Sequence, residues 1–477
     1  MKNFTLYIFS LLAFLCFCTT RAGAQNDDQH KDTTIYISIF RQYELITEAN
    51  RGNAIAQHTL GLCYLNGFSF PADTQKAVYW IKKAADNNLP AAHYNYGVML
   101  YNGTGVDWNP FEAYKHVMRA ASVKMKEALY LAGIFYTDNL VVPRDDKKAQ
   151  YYFDSFADTL HKKPDTTGSN VSEVIVDSQS ITIAREIQEL ANKDADYNSY
   201  GNMLIQRLFS GKITKDFSEI IKDTAVYRKI TEQAAAGNSD AQVLLGLCYE
   251  KGITLRQDDI MALEYYFRSI SLDSKLGNIF LIKFYHDRNT FETKLSRINA
   301  EVRKNNPAAM YVIYSLTAAG LNNSITSGEA FEILKKAALA GHLPSVVELG
   351  LCYFRGRFVK RDSDKAMEFF RFAASKGYGE AGIWMANLNI QEKFTYQPSS
   401  ETLSYLAAAS EKGIMHAQVL LGYCYEKGLG VDTNPAKAAK LYRAALAHGN
   451  KGAYTALRRM HDKLRPGSPD FAIKASE

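Results

Sequence analysis

The chain has 477 residues, 47% hydrophobic and 22% charged, a balance that fits a folded polypeptide and excludes a disordered one. Its 56 basic and 50 acidic residues leave a net charge of +6, too small an excess to predict a nucleic-acid-binding surface. Only 11 prolines occur, which leaves room for many uninterrupted helices.

The first element in chain order is a targeting segment. Lys2 supplies a positive start, Leu6 to Cys18 an apolar run short for a bilayer, and Ala22-Gly23-Ala24 a small-residue cleavage site. The reading is a signal peptide over residues 1–24, cut before Gln25, with an uncleaved anchor as the alternative. The large residues Leu15 and Phe17 before Cys16 and Cys18 speak against lipid attachment. No later stretch is apolar enough to span, so no stable membrane insertion is expected after cleavage. The implied location is exported, periplasmic or secreted.

Residues 25–51 carry a lone capping helix, Tyr36 to Ala49. A 36-residue spacing then begins with Gly52, Asn88 and Lys124, restarts at Gly237 and Asp273, and restarts again at Asn305 to run through Gly341, Gly377, Gly413 and Gly449. Asn192 is a weaker single member. Gly and Asn predominate, as expected where a helix ends in a left-handed residue, so each mark predicts the end of one helix pair. Four residues on sits a small side chain, such as Ala92, Ala128 or Ala417; nine on, a glycine, such as Gly97, Gly246 or Gly350. A glycine within a helix lowers stability by about 1 kcal/mol relative to alanine, so its recurrence predicts close approach between helices. Twelve residues after the mark comes Tyr64, Tyr136, Tyr249, Tyr285, Tyr353 or Tyr425, and twenty-five after it an alanine of the second helix. Asn109-Pro110 and Asn434-Pro435 read as a cap followed by proline at the first helical position. The fold class is therefore all-α, an α/α superhelix: a solenoid of about ten two-helix repeats, over residues 52–160 and 237–465.

The spacing breaks over 161–236, a degenerate repeat with an insertion. It holds a turn-rich stretch, Lys163 to Asn170, and a helical pattern, Ile181 to Leu190. A projecting recognition element and drift in an old repeat both fit. A second break, 32 residues from Asp273 to Asn305, predicts a shortened second helix around Thr293–Val302. Ala453 to Leu464 reads as a lone first helix capping the array, and 466–477 as a disordered tail.

Leu60-Gly-Leu-Cys-Tyr-Leu-Asn-Gly67 with Lys76-Ala-Val, and Leu421-Gly-Tyr-Cys-Tyr-Glu-Lys-Gly-Leu-Gly-Val431 with Lys437-Ala, resemble Sel1-like repeats, a subclass of tetratricopeptide-type helical repeats. The resemblance covers most of 52–465 and implies a right-handed superhelix that mediates protein–protein interaction or complex assembly, with no active site common to the family. Some cysteine-rich relatives are linked to β-lactam binding or hydrolysis; this chain lacks the second cysteine of each pair that those relatives carry. A cysteine-poor relative of those proteins, or another envelope enzyme, is the alternative function.

Cys63, Cys248, Cys352 and Cys424 all fall eleven after a mark, where other units carry Met99, Phe135 or Leu316. The position is an apolar packing column, and no two cysteines share a unit or neighbour one another, so four buried free thiols are expected. Motifs for a metal, a cofactor or a catalytic nucleophile are not present: no His-Glu-x-x-His, Gly-x-Ser-x-Gly, Ser-x-x-Lys or phosphate-binding Gly-x-x-x-x-Gly-Lys occurs. Catalytic, metal and cofactor residues are accordingly assigned as none, and the protein as not an enzyme.

Positions six, ten and thirteen after the mark point away from the second helix and would line an inner, concave face. They include Tyr94, Tyr101, Tyr130, Glu250, Tyr311, Phe354, Tyr423 and Glu426. These residues are the candidate contacts with a protein or peptide partner. The competing reading makes them plain packing between repeats.

Overall fold

The computed structural model describes residues 39–161, 224–286, 288–392 and 398–473. Every described element is helical. In the first stretch lie α1 (Ile39–Asn50), α2 (Ala54–Asn66), α3 (Thr74–Asp86), α4 (Pro90–Asn102), α5 (Pro110–Ser122), α6 (Lys126–Asp138) and α7 (Asp146–His161). The chain resumes with α8 (Thr224–Ala235), α9 (Ser239–Lys251), α10 (Asp259–Ser271), α11 (Lys275–His286), α12 (Arg288–Arg303), α13 (Pro307–Ala318), α14 (Ser327–Leu339), α15 (Leu343–Arg355) and α16 (Ser363–Ser375). It finishes with α17 (Gly379–Glu392), α18 (Ser400–Glu411), α19 (Met415–Lys427), α20 (Pro435–Ala447) and α21 (Lys451–Leu464), followed by a single 3-10 turn, Pro469–Phe471. Consecutive helices pack on one another along each stretch, as in an all-α solenoid.

Sequence dictates the hairpins through three recurring devices. Each described mark of the 36-residue spacing has positive φ, from Gly413 at 72° and Gly449 at 86° to the less permissive Lys124 at 61° and Asp273 at 62°. The left-handed residue releases the chain from one helix and aims it at the next. Seven residues before many second helices, the first helix ends in a second left-handed residue, such as Gly67, Gly103, Gly252 or Gly428. An Asp or Asn then caps the second helix: Asp73 accepts from the Lys76 amide at 3.0 Å, and Asn434 from that of Lys437 at 2.9 Å.

Packing explains the glycine column. A Cβ on Gly246 would lie 2.5 Å from Tyr266 Cε1, and one on Gly350 2.6 Å from Phe370 Cε1, so the two helices of a hairpin touch where the side chain is missing. The alanine column (Ala77, Ala113, Ala262, Ala366, Ala438) and the cysteine column are buried throughout. The tyrosine twelve after the mark carries a lysine of the second helix over its ring: Lys76 over Tyr64 at 5.2 Å, Lys365 over Tyr353 at 5.4 Å, Lys437 over Tyr425 at 5.1 Å.

Two expectations need amendment. The second helix of the unit after Asp273 is not shortened: α12 has 16 residues. What is missing is the connecting turn, since α11 ends at His286 and α12 starts at Arg288. The tail is ordered through residue 473; Phe471 is only 6% exposed, because two prolines and an arginine hold it against distant helices. The signal segment, Asn192 and the pattern at Ile181–Leu190 lie outside the described residues.

Candidate functional site

The structure does not gather the eight candidate residues into one groove. Tyr94 (4% exposed), Tyr311 (3%) and Phe354 (7%) are buried, which removes them from any partner-facing surface. Tyr94 joins Phe111, Leu129 and Phe135 in a core shared by the second and third hairpins, and Tyr311 packs beside the ring of His342. Neighbouring units supply this cover, as expected where the first helices of adjacent hairpins pack on one another. Glu250 and Glu426 hold their own hairpins together: each accepts from the hydroxyl of a second-helix tyrosine, Tyr266 at 2.7 Å and Tyr442 at 3.0 Å. Glu426 also receives both Nε and Nη2 of Arg459. Tyr423 is half-buried with Lys427 over its ring at 5.8 Å. Tyr130 is 50% exposed, beside Phe153 and Phe156. Tyr101 is half-buried beneath the guanidinium of Arg443, 4.3 Å from its centroid.

Where an open inner face was expected, a buried polar network joins α9 and α10 to later units. Arg268 donates to Glu380 Oε1 through Nη2 at 2.6 Å and Nε at 3.0 Å, and Gln242 Nε2 donates to the same oxygen at 2.6 Å. Glu264 lies 3.7 Å from Arg268 and 3.1 Å from His342 Nε2. Asp240 meets His448 at 3.2 Å. Burial alone would favour neutral Arg268, but Glu380, with Tyr378 and Glu264 behind it, raises its pKa well above the ordinary value. The charges pair with one another and join residues of α9 and α10 to α17 and to His342.

A second long-range contact brings the second and third hairpins against the last. Arg443 of α20 donates to Asn102 Oδ1 at 3.0 Å and to Tyr101 O at 3.3 Å. Arg465 donates to Leu140 O at 2.8 Å and to Val141 O at 3.2 Å. Trp108 and Leu140 share an apolar cluster with Tyr442, Leu457 and Met460. The ring of Trp108 meets His461 edge-on at 5.1 Å. Two cavities open along this seam. One of about 470 Å³ lies between Trp108, Asp107 and the start of α20. Another, of about 620 Å³, lies between Tyr114, Tyr136 and the tail. Arg465, Trp108 and Phe471 belong to no repeating column, so periodicity gave no signal for them; Arg443 shares its place thirty after the mark with Lys82, Lys335 and Arg371, and nothing in that column set it apart.

Reactive groups do not converge. Cys63, Cys248, Cys352 and Cys424 are buried free thiols, as expected. Burial pushes Cys63 and Cys424 up to about 11 and Cys248 and Cys352 up to about 12, away from the nucleophilic thiolate. His93 and His116 meet Nδ1 to Nδ1 at 2.8 Å, and burial lowers the pKa of both. Among the described residues no group of three or more His, Cys, Asp or Glu could hold a metal ion, and no helix is long and apolar enough to cross a membrane.

Comparison with known proteins gives a consistent picture. The Sel1 repeat matches residues 54–89, 90–122, 126–158, 239–274, 327–342, 344–378 and 416–450. The chitin synthase regulator SKT5 of Saccharomyces cerevisiae is 28% identical over 244 residues, 47% of this chain and 35% of that protein. The DAP3-binding cell death enhancer 1 of Rattus norvegicus is 28% identical over 185 residues, 30% of this chain and 35% of that protein. The matches thus span about a third of the length of these curated relatives. Among solved structures, a protective antigen of uropathogenic Escherichia coli strains that displays an SLR fold aligns at 23% identity. The alignment covers 89% of this chain and 83% of that one, with a TM-score of 0.34.

Proposed function

The chain belongs to the Sel1 repeat family, and from that premise we propose that it is an exported, non-catalytic adaptor that binds another protein. One observation carries the reading: two cavities open where the second and third hairpins meet the last hairpin and the tail, and the non-repeating Trp108 and Phe471 line them beside repeat residues such as Tyr136 and Asn434. A solenoid recognises partners through the surfaces that the stacking of its units creates. The names of the relatives agree with this role, one a regulator of an enzyme and one a binder of another protein. The four thiols, buried and protonated, offer little to a cysteine-based reaction.

Export rests on the charge and hydropathy of residues 1–24. The mature chain should begin at Gln25; intact mass of the protein recovered from its own cells checks this, and a retained Met1 contradicts it. Binding is tested by affinity capture of the tagged full chain from those cells, with the co-purifying proteins identified by mass spectrometry. A reproducible stoichiometric partner supports the adaptor. Multiple turnovers of a chromogenic β-lactam or another envelope substrate, with no partner recovered, would replace it by an enzyme.

A further inference from the structure

The last described residues leave their own unit and lodge in another. After α21, the segment Arg465-Pro466-Gly467-Ser468-Pro469-Asp470-Phe471 holds two prolines, which stiffen it and lower the entropy lost when it docks. Phe471 joins the apolar cluster of the second and third hairpins, not that of α19–α21. Its ring stands edge-on to Phe111 at 5.3 Å and to Tyr114 at 5.8 Å. Arg465 clasps the arrangement, donating to Leu140 O, Val141 O and Phe471 O, with its guanidinium over Phe111. The fit is incomplete. Beside the tail the cavity of about 620 Å³ stays open, walled by Tyr114 and Tyr136 and rimmed by Lys115, Arg144 and Lys148, with Asp470 at its tail side.

A groove with an aromatic floor and a rim that carries Lys115, Arg144 and Lys148 beside Asp145 has a defined ligand chemistry. An aromatic side chain fills the floor, and an acidic residue directly before it lies at the rim. The tail presents these features as Pro-Asp-Phe, wound into a single 3-10 turn. We propose that this groove is a peptide-docking site held in cis by the protein's own tail, and that the partner is a protein bearing a short turn with an acidic residue directly before an aromatic one. The partner segment enters by displacing Pro469–Phe471. The tethered tail competes at an effective concentration on the order of millimolar, so it sets a threshold that a stray peptide does not pass.

This proposal rests on the adaptor reading, naming one site and one partner chemistry within it. Its test needs no partner. A fluorescein-labelled peptide with the sequence of residues 465–477 is titrated by anisotropy into the full chain, wild type and Phe471→Ala. Binding should be at least tenfold tighter to the variant, should weaken at least tenfold when the peptide's Asp and Phe are both alanine, and should fall with added Lys148→Glu. Arg465→Ala provides a second way to free the tail while keeping Phe471, should the first variant melt early by circular dichroism. Equal binding to wild type and a folded tail-released variant, or indifference to the peptide's Asp and Phe, would overturn the proposal. So would a wild-type dimer in light scattering that Phe471→Ala dissolves, since the tail would then serve a second copy. Loss of the groove in this way leaves partner capture untouched, whereas failure of capture does not alter the peptide titration.

Discussion

Single residues show how little freedom the hairpin allows. Lys124 occupies the left-handed region at φ 61° and is exposed, a conformation that disfavours a residue with a Cβ by roughly 1–2 kcal/mol. Lys124→Gly should raise stability by about 0.5–1 kcal/mol after the added unfolded-state entropy is counted, read as a higher urea midpoint. Gly246→Ala should do the opposite. Alanine gains about 1 kcal/mol in helix propensity, but its Cβ would sit 2.5 Å from fully buried Tyr266. Overpacking at about 1–3 kcal/mol wins, and a lower urea midpoint should report it. His461 adds a pH dependence. Its Nδ1–H donates to Leu457 O at 2.7 Å while Nε2 is buried without a partner. Burial, against the help of that carbonyl, lowers its pKa from the ordinary 6.5 to about 4. Unfolding therefore takes up a proton between those values. Stability is whole above pH 6.5, falls as pH drops through the window, and levels off below about 4, for a loss on the order of 3 kcal/mol. His461→Leu should flatten the fall in melting temperature between pH 7 and pH 5; an unchanged slope would assign the acid sensitivity elsewhere, with His58 the next candidate since burial lowers it to about 4 as well.

At the scale of elements, helix pairs follow from local chemistry, while long-range charge joins distant ones. The caps, the alanine and glycine columns and the left-handed marks were legible because each acts within one hairpin and recurs; even Lys124 and Asp273, which lack the favoured side chain, take positive φ where the spacing put them. The misjudged second helix near Thr293 came from treating a short step as a short helix, when the residues had been lost from the turn between His286 and Arg288. Glu380 gave no warning of its role. It sits on α17, 112 residues from Arg268, and no pattern within a unit pairs them. Arg268→Met should destabilise the chain by about 3–5 kcal/mol, because it strands Glu264 and Glu380 in a buried site. Thermal melts would show it, and a loss under 1 kcal/mol would mean that water reaches the network.

For the whole molecule, the contact between early and late hairpins turns a linear array into a closed one. An open solenoid contacts only neighbours and unfolds by pieces. Here Arg443 and Arg465 tie α20 and the tail to residues 101–102 and 140–141. The double variant Arg443→Ala/Arg465→Ala should keep its far-ultraviolet circular dichroism, enlarge its radius of gyration in small-angle scattering, and unfold in more than one step. An unchanged radius would show that the apolar contacts of Trp108 and Phe471 close the array without them.

The unit length, the hairpin, its caps and its buried columns were settled by the sequence alone, since each depends on residues within about one repeat and is written many times over. Of the two readings the same columns allowed, packing between repeats holds for Tyr94, Tyr311 and Phe354, which are buried, Tyr94 within a core of adjacent hairpins and Tyr311 beside His342 of the next unit. The pitch of the winding sums a small rotation at each junction. Whether residue 443 reaches residue 102 therefore depends on every unit between them, and only the folded chain carries out that sum.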